Sequence, residues 1–398
     1  MAGIQKALII GDGIAGPIAA LALRNAGIEA SIFEAFNTPA DGLGGMLMVA
    51  PNGVEALRIV GVDVTAIGQP ISRMVVGDGD GKEFGSFAGL AELPSSQVVH
   101  RSDLYRVLNE RVRERCIRIA HGKRLIGVHD MPSGITAQFS DGSTENGDVL
   151  IGADGIRSTV RKLIDPAAPD PRYVGFLGFG GFARGSSIRT PSDAMYFVFG
   201  KRAFLGYWAA PDGGTVWFSN LPYANPLTMT QARAVPAADW LQRLREVYAD
   251  DTPGRELIQH TSADQLCAFG AGEILPRVPR WYRGRMVLVG DSAHAPSSSS
   301  GQGASIAAES AIELAQCLRD IPEASKAFGA YERLRRPRVQ RIAAYAARQN
   351  NHKTLGPIAK ALMSVLLPLA MRTFMKPQKT LGWMHGYQID WGKTLAAE

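Results

Sequence analysis

The chain of 398 residues is 46% hydrophobic with a formal net charge of +6, enough apolar content for one substantial core and a second, smaller domain. Its three cysteines, Cys116, Cys267 and Cys317, are far apart and form no Cys-x-x-Cys, which argues against a zinc site or a disulfide framework and fits a reducing cytoplasm. No nucleic-acid module accompanies the basic charge, so the cluster Arg333, Arg335, Arg336, Arg338 and Arg341 is expected to be a solvated helix face.

In chain order, the apolar run Ala7-Leu8-Ile9-Ile10 is too short for a secretory core and leads straight into Gly11-Asp12-Gly13-Ile14-Ala15-Gly16. A buried strand, a glycine turn and a helix opening on free N–H groups make a pyrophosphate site. Pro17 suits the first helical turn, where its missing N–H costs nothing, and Ile18, Leu21, Ala22 and Leu23 give the helix an apolar face that stops near Gly27. A second strand, Ala30-Ser31-Ile32-Phe33-Glu34, then brings in Glu34 at the distance of an acid that holds a ribose. This fingerprint does not distinguish FAD from NAD.

Further along come Gly42-Leu43-Gly44-Gly45, Pro51-Asn52-Gly53 and His100-Arg101-Ser102-Asp103-Leu104. A second strand-then-glycine run, Val149-Leu150-Ile151-Gly152-Ala153-Asp154-Gly155, follows. The middle of the chain turns to aromatic and β-branched runs at 194–199, 203–209 and 215–219, broken by glycine turns, which read as an antiparallel meander. Period-two alternation sets Phe197 and Phe199 on one face, with Tyr196 and Val198 on the other. A third run, Met286-Val287-Leu288-Val289-Gly290-Asp291-Ser292-Ala293-His294, precedes Gly301-Gln302-Gly303-Ala304, after which a helix is expected. In this turn His294 reads as a brace. Eleven mostly apolar residues at 361–371, bracketed by Lys360 and Arg372, are too short to span a bilayer and read as a docked terminal helix.

The three strand-then-glycine runs together resemble the class A flavoprotein monooxygenases of the para-hydroxybenzoate hydroxylase type, whose members include tetracycline- and polyketide-modifying enzymes. The resemblance implies an α/β fold, with a Rossmann-like FAD-binding domain (1–70, 101–171 and 272–340), a β-sheet substrate domain (71–100 and 172–271) and a C-terminal helical segment (341–398). It implies FAD held by Gly11, Gly13, Ile14, Ala15, Gly16, Glu34, Gly45, Arg101, Asp154, Gly155, Asp291, Gly301, Gly303, Ala304 and Ser305, with NAD(P)H as a transient donor. Asp154-Gly155 matches the segment associated with NAD(P)H use, and Gly290-Asp291 the one that holds the ribityl chain. The positive field of the chain would draw in NADPH, which is strongly anionic. Phe197, Phe199, Tyr207, Trp217 and Ser298 are the candidate substrate-pocket residues, with Tyr207 and Trp217 placed to stack on a flat ring.

Two positions depart from the family pattern. Ser298, inside Ser297-Ser298-Ser299-Ser300, stands where the family has proline, and Glu309-Ser310 where it often has Glu-Asp. The implied activity is NAD(P)H- and O2-dependent hydroxylation of an aromatic or polycyclic small molecule through a flavin hydroperoxide, with no protein nucleophile and no metal. A flavin-dependent reductase or dehydrogenase on the same scaffold, or a non-catalytic flavoprotein, are the alternatives. A cytoplasmic monomer or homodimer without a transmembrane segment or nucleic-acid partner is expected.

Overall fold

The structure is a computed structural model that describes residues 3–38, 45–353 and 377–395. Its centre is a six-stranded sheet in the order Tyr282–Arg283, Met286–Leu288, Val149–Gly152, Lys6–Ile10, Glu29–Phe33, Arg118–Ala120. All neighbours are parallel except the first pair. The three strands that carry the glycine runs are therefore side by side: Ile9 is in register with Ile151, and Leu150 with Met286. These strands read as unbroken apolar runs because both faces of the sheet are covered. Helices Ala15–Asn25 and Gly303–Asp320 cover one face. A three-stranded antiparallel sheet (Leu125–Met131, Gly134–Phe139, Thr144–Gly147) covers the other, where Phe139 stacks on Phe33 with centroids 5.0 Å apart.

The aromatic middle of the chain forms a second sheet of seven strands, ordered Leu266–Ile274, Arg172–Ala183, Thr215–Pro222, Phe204–Ala209, Ala194–Phe199, Arg73–Asp78, Glu83–Ala88. The expected meander is present, with Phe197 opposite Gly206 and Tyr207 opposite Trp217. Its alternation gives the sheet two different faces. Leu205, Tyr207, Trp217 and Phe179 pack on Trp240 of the helix Ala237–Val247, on Tyr248 just after it, and on Leu257 of the helix Thr252–Gln259. Met195, Trp208, Phe197 and Phe218 pack instead on Met46, Met48, Ile71 and Val98. Those last residues belong to a small sheet of Met46–Val49, Ser96–His100 and Gln69–Ile71, which joins the aromatic sheet to the nucleotide side.

The long helix Ala324–Lys353 follows, and the segment 377–395 returns to pack on Gly303–Asp320. Arg319 donates to the Trp391 carbonyl at 2.7 Å and its guanidinium lies 4.8 Å from the Trp391 ring centre. The apolar run 361–371 lies outside the described residues. Among the described residues no helix is long and apolar enough to cross a membrane, and no group of His, Cys, Asp and Glu is arranged to hold a metal.

Candidate functional site: a dinucleotide cradle beside an aromatic wall

The ends of the three adjacent parallel strands meet in one place, and their glycines explain how. Gly11 has φ of 107°, and a Cβ there would lie 2.5 Å from the Ala153 carbonyl oxygen, so the first turn rests on the second. A Cβ on Gly16 would lie 2.0 Å from the Gly11 carbonyl oxygen. A Cβ on Gly290 would lie 2.7 Å from that of Ala15, which ties the third turn to the first. By contrast, Gly13, Gly155 and Gly303 would meet no protein atom within 4 Å. Contact glycines thus fix the shape of the cradle, and open glycines face its space.

Both helices that start in the cradle lack a side-chain cap. Ala15–Asn25 begins after Ile14 and Gly303–Asp320 after Gln302, with no acid in either first turn. Their first amides and the positive ends of their dipoles are left for an anionic partner. Glu34 accepts from the Asp12 backbone N–H at 2.7 Å and from that of Phe36 at 3.0 Å, so its carboxylate lies at the mouth of the first turn. Arg101 opens the helix Arg101–Glu114, and its N–H donates to the Gly45 carbonyl at 3.0 Å. Gly42, Leu43 and Gly44 lie outside the described residues. Asp291 is solvent-accessible yet walled in by protein, which pushes its carboxyl up to about 6 against the opposing field of Arg101. These two charges therefore face the same cleft.

Asp154 does something different. Its carboxylate accepts from the Ser158 hydroxyl at 2.5 Å and from the backbone N–H groups of Thr159 and Val160 at 2.7 and 3.1 Å, capping the helix Thr159–Ile164. At this turn Gly155, with φ of 76°, is the residue next to open space. Ser305 is also engaged: its hydroxyl accepts from the Ala50 N–H at 3.0 Å, and Ala304 is half-buried beside it. Gly301 is left-handed, with φ of 62°, and lies near Met48.

Behind the start of Gly303–Asp320 runs a buried polar network. Asn52 Nδ2 donates to Gln302 Oε1 at 2.9 Å and to Glu309 Oε1 at 2.6 Å. Glu309 receives Arg335 at 2.6 Å and Arg338 at 2.8 Å, while Glu313 takes Arg335 at 3.2 Å and the Tyr387 hydroxyl. Arg335 and Glu309 are both fully buried. This corrects the expectation of a solvated arginine face: two of those arginines neutralise buried carboxylates, and Arg336 and Arg341 lie over Trp281 and Trp383. Ser310 is part of the same network, accepting from Arg335 Nε at 3.2 Å and meeting His294 Nε2 at 2.8 Å. Burial lowers His294 to about 3, so it is a neutral brace.

The aromatic wall divides the candidate pocket residues. Phe197 lies on the face toward Met46 and Met48, and Phe199, one alternation away, stacks edge-on with Phe204. Ser298 is exposed in the turn Ser298–Ser300. Tyr207 and Trp217 are on the opposite face, which corrects their placement against a flat substrate. Trp217 is 1% exposed and donates through Nε1 to Thr261 Oγ1 at 2.9 Å, and Tyr207 stacks on Tyr196 at 5.0 Å. The facing aromatics are Trp208 and Phe218, each one residue along from those expected. Pairing of Trp208 with Val216, once Phe197 is set inward, carried that signal. Phe269 was not foreseen either: its ring would block a Cβ at Gly45 at 2.4 Å and one at Gly180 at 2.9 Å.

Space at three open glycines, two uncapped helix starts and a buried Gln302 Nε2 with no partner among the described residues fit a bound dinucleotide carrying a ring. Fold and cradle define an FAD-dependent oxidoreductase of the monooxygenase class. The chain belongs to the FAD binding domain family, whose model matches residues 5–346. It is 32% identical to the aurachin C monooxygenase/isomerase of Stigmatella aurantiaca over 82% of this chain and 84% of that one. It is 29% identical to an FAD-dependent urate hydroxylase of Klebsiella pneumoniae over 84% of this chain and 87% of that one. Klebsiella pneumoniae HpxO, solved with FAD and uric acid, superposes with a TM-score of 0.83 at 25% identity, covering 96% of both chains.

Proposed function

We propose that this enzyme uses NAD(P)H and O2 to hydroxylate a small aromatic or heteroaromatic compound held between the aromatic sheet and the flavin cradle. The observation that carries this is the junction of the two sheets. Gly45 touches Phe269, and Met48 lies beside both Gly301 and the Phe197, Trp208 and Phe218 face. A flat ring placed there contacts aromatic side chains on one side and the cradle on the other.

FAD, when bound, supplies the hydride acceptor and the centre at which oxygen is activated. The chain supplies the rest. Amides from Gly13 to Gly16 receive the pyrophosphate, Glu34 the adenosine ribose, and Arg101 and Asp291 the polar chain between pyrophosphate and ring. The uncapped start of Gly303–Asp320 favours negative charge on a ring beside it, with Gly301, Ala304 and Ser305 shaping that contact. Phe197, Phe218 and Met48 exclude water from the reacting face. Relatives named for urate and for aurachin C support a ring substrate. The division into nucleotide domain, sheet domain and terminal helices belongs to the same proposal, as does a cytoplasmic location.

The test is oxygen uptake and NADPH oxidation by FAD-loaded protein across a panel of phenols, hydroxyquinolines and purines. A compound that accelerates both and gains one oxygen atom supports the proposal. NADPH oxidation that forms a reduced organic product with no oxygen gained would favour the reductase reading.

A further inference from the structure

The strand Leu266–Ile274, at one edge of the aromatic sheet, carries a residue more than its neighbour Arg172–Ala183. Ala268 pairs with Phe179 and Gly270 with Gly178, which leaves Phe269 between them without a partner in register. Building on the contact between Arg101 and FAD proposed above, we infer that Phe269 is a positioning residue for the flavin. Its ring sets Gly45, and through Gly45 the helix start that presents Arg101 to the cofactor.

The bulge aims this side chain. An extra residue bends a strand and takes its side chain out of the regular alternation. Gly270 adopts the left-handed φ of 77° at the bend. A Cβ there would lie 2.6 Å from the Met229 backbone nitrogen and 2.9 Å from the Leu227 carbonyl oxygen, so the segment 227–229 clamps the backbone of the bend. Phe269 is left on the cradle side. Gly180 is directly opposite Phe218, Phe218 opposite Gly206, and Gly206 opposite Phe197, so these four share one face. Along that row bare backbone alternates with rings. A Cβ at Gly206 would overlap the Phe218 ring, and one at Gly180 would lie 2.9 Å from the Phe269 ring. Phe269 thus ends the row that begins at Phe197.

What the ring touches is not core. Phe269 is half-buried and belongs to neither packed cluster of the aromatic sheet. It lies over Gly178 and Gly180, and its para carbon points at Gly45, where a Cβ would overlap it. Gly45 leads into the strand Met46–Val49, and its carbonyl accepts from the N–H of Arg101, the first residue of the helix Arg101–Glu114. Three glycines from two parts of the chain therefore leave a slot that one ring fills. Close packing of this kind transmits displacement, so ring, strand end and helix start are held as one unit.

The experiment titrates FAD into the full chain by flavin fluorescence and records the visible spectrum of each complex, with thermal melts of the FAD-free proteins as a control on folding. Gly45→Ala enters the contact from one side and Phe269→Tyr from the other, so each should weaken FAD binding about tenfold or more. Phe269→Ala empties the slot and should weaken binding about threefold, with a shifted flavin band. Gly45→Ala combined with Phe269→Ala should bind no more weakly than Phe269→Ala alone, because the clash is gone. A ring that merely covers apolar surface would tolerate a tyrosine hydroxyl at this half-buried position. Wild-type affinity and spectrum in Phe269→Tyr would therefore overturn the assignment, as would losses that multiply in the double variant. If Gly45→Ala fails to fold, Phe269→Tyr and Phe269→Ala still decide. Bleaching of the flavin by NADPH reads the proposed hydroxylation separately. An enzyme that bleaches while every variant holds FAD as the wild type does loses only this role for Phe269, and one that follows the pattern without bleaching loses only the activity.

Discussion

Asn52 Nδ2 donates a hydrogen bond of 2.6 Å to Glu309 Oε1, deep between the helix after the flavin loop and the helix that carries the cradle's third turn. Neither residue is more than 1% exposed. Burial alone would raise Glu309, but Arg335, Arg338 and Asn52 together hold it below the usual carboxylate range. The start of Gly303–Asp320 is thus braced from behind by paired charges rather than by packing alone.

Removing one charge from that brace should be severe. Glu309→Gln leaves Arg335 and Arg338 buried with less counter-charge, and a loss on the order of 3–5 kcal/mol is expected. Urea unfolding of wild type and variant checks it. A change under ~1 kcal/mol would mean that the network is solvated in solution.

The two kinds of cradle glycine should behave differently. Gly13→Ala adds a methyl that meets no protein atom, so the fold should keep its stability within about 0.5 kcal/mol while FAD affinity falls about tenfold or more. Gly11→Ala meets the Ala153 carbonyl from a positive φ, so it should lose stability as well. Flavin fluorescence titration and thermal melts of FAD-free protein separate the two effects.

The two faces of the aromatic sheet give a second contrast. Trp217→Ala opens the sheet–helix core and should cost roughly 3–5 kcal/mol. Phe197→Ala should instead raise KM for an accelerating aromatic compound and divert NADPH oxidation to hydrogen peroxide. A Trp217→Ala enzyme of normal stability but altered KM would reverse the assignment of faces.

Asp12 makes stability depend on pH. It is 2% exposed; burial raises it to about 6 and Glu34 adds to this, while the Tyr105 hydroxyl at 2.7 Å, His121 and Asn109 oppose. The folded state therefore holds this proton more tightly than the unfolded chain. Stability from the protonated form is complete below pH 3.8 and is lost as pH rises through about 6. Asp12→Asn, which keeps an acceptor for Tyr105, should be more stable than wild type at pH 8 by on the order of 2 kcal/mol. That advantage should vanish below about pH 4, which denaturation of FAD-free protein at a series of pH values will show.

Most of the nucleotide side was legible in the sequence, because a parallel strand, a glycine turn and a helix are local and their order is fixed. Gly11, Gly16 and Gly290 are where such turns demand them. What the sequence did not carry is what a side chain meets at long range. Asp154 looks like a ligand acid, yet it caps its own helix. Arg335 and Arg338 look like surface charge, because their partners Glu309 and Glu313 are over twenty residues away in the chain. Tyr207 and Trp217 have the right chemistry but the wrong parity: a strand alternates sides, and which side faces the cradle is set by Met46 and Met48 from a different sheet.

The most direct test of the central claim is anaerobic addition of NADPH to protein loaded with FAD, followed at the visible band of the oxidised flavin. A stoichiometric yellow complex should form. It should bleach with NADPH, faster once an accelerating aromatic compound is present, and recover in air with release of hydrogen peroxide. A protein that takes up no FAD, or a bound flavin that stays oxidised with NADPH and NADH in the presence of every aromatic compound tried, would contradict the assignment.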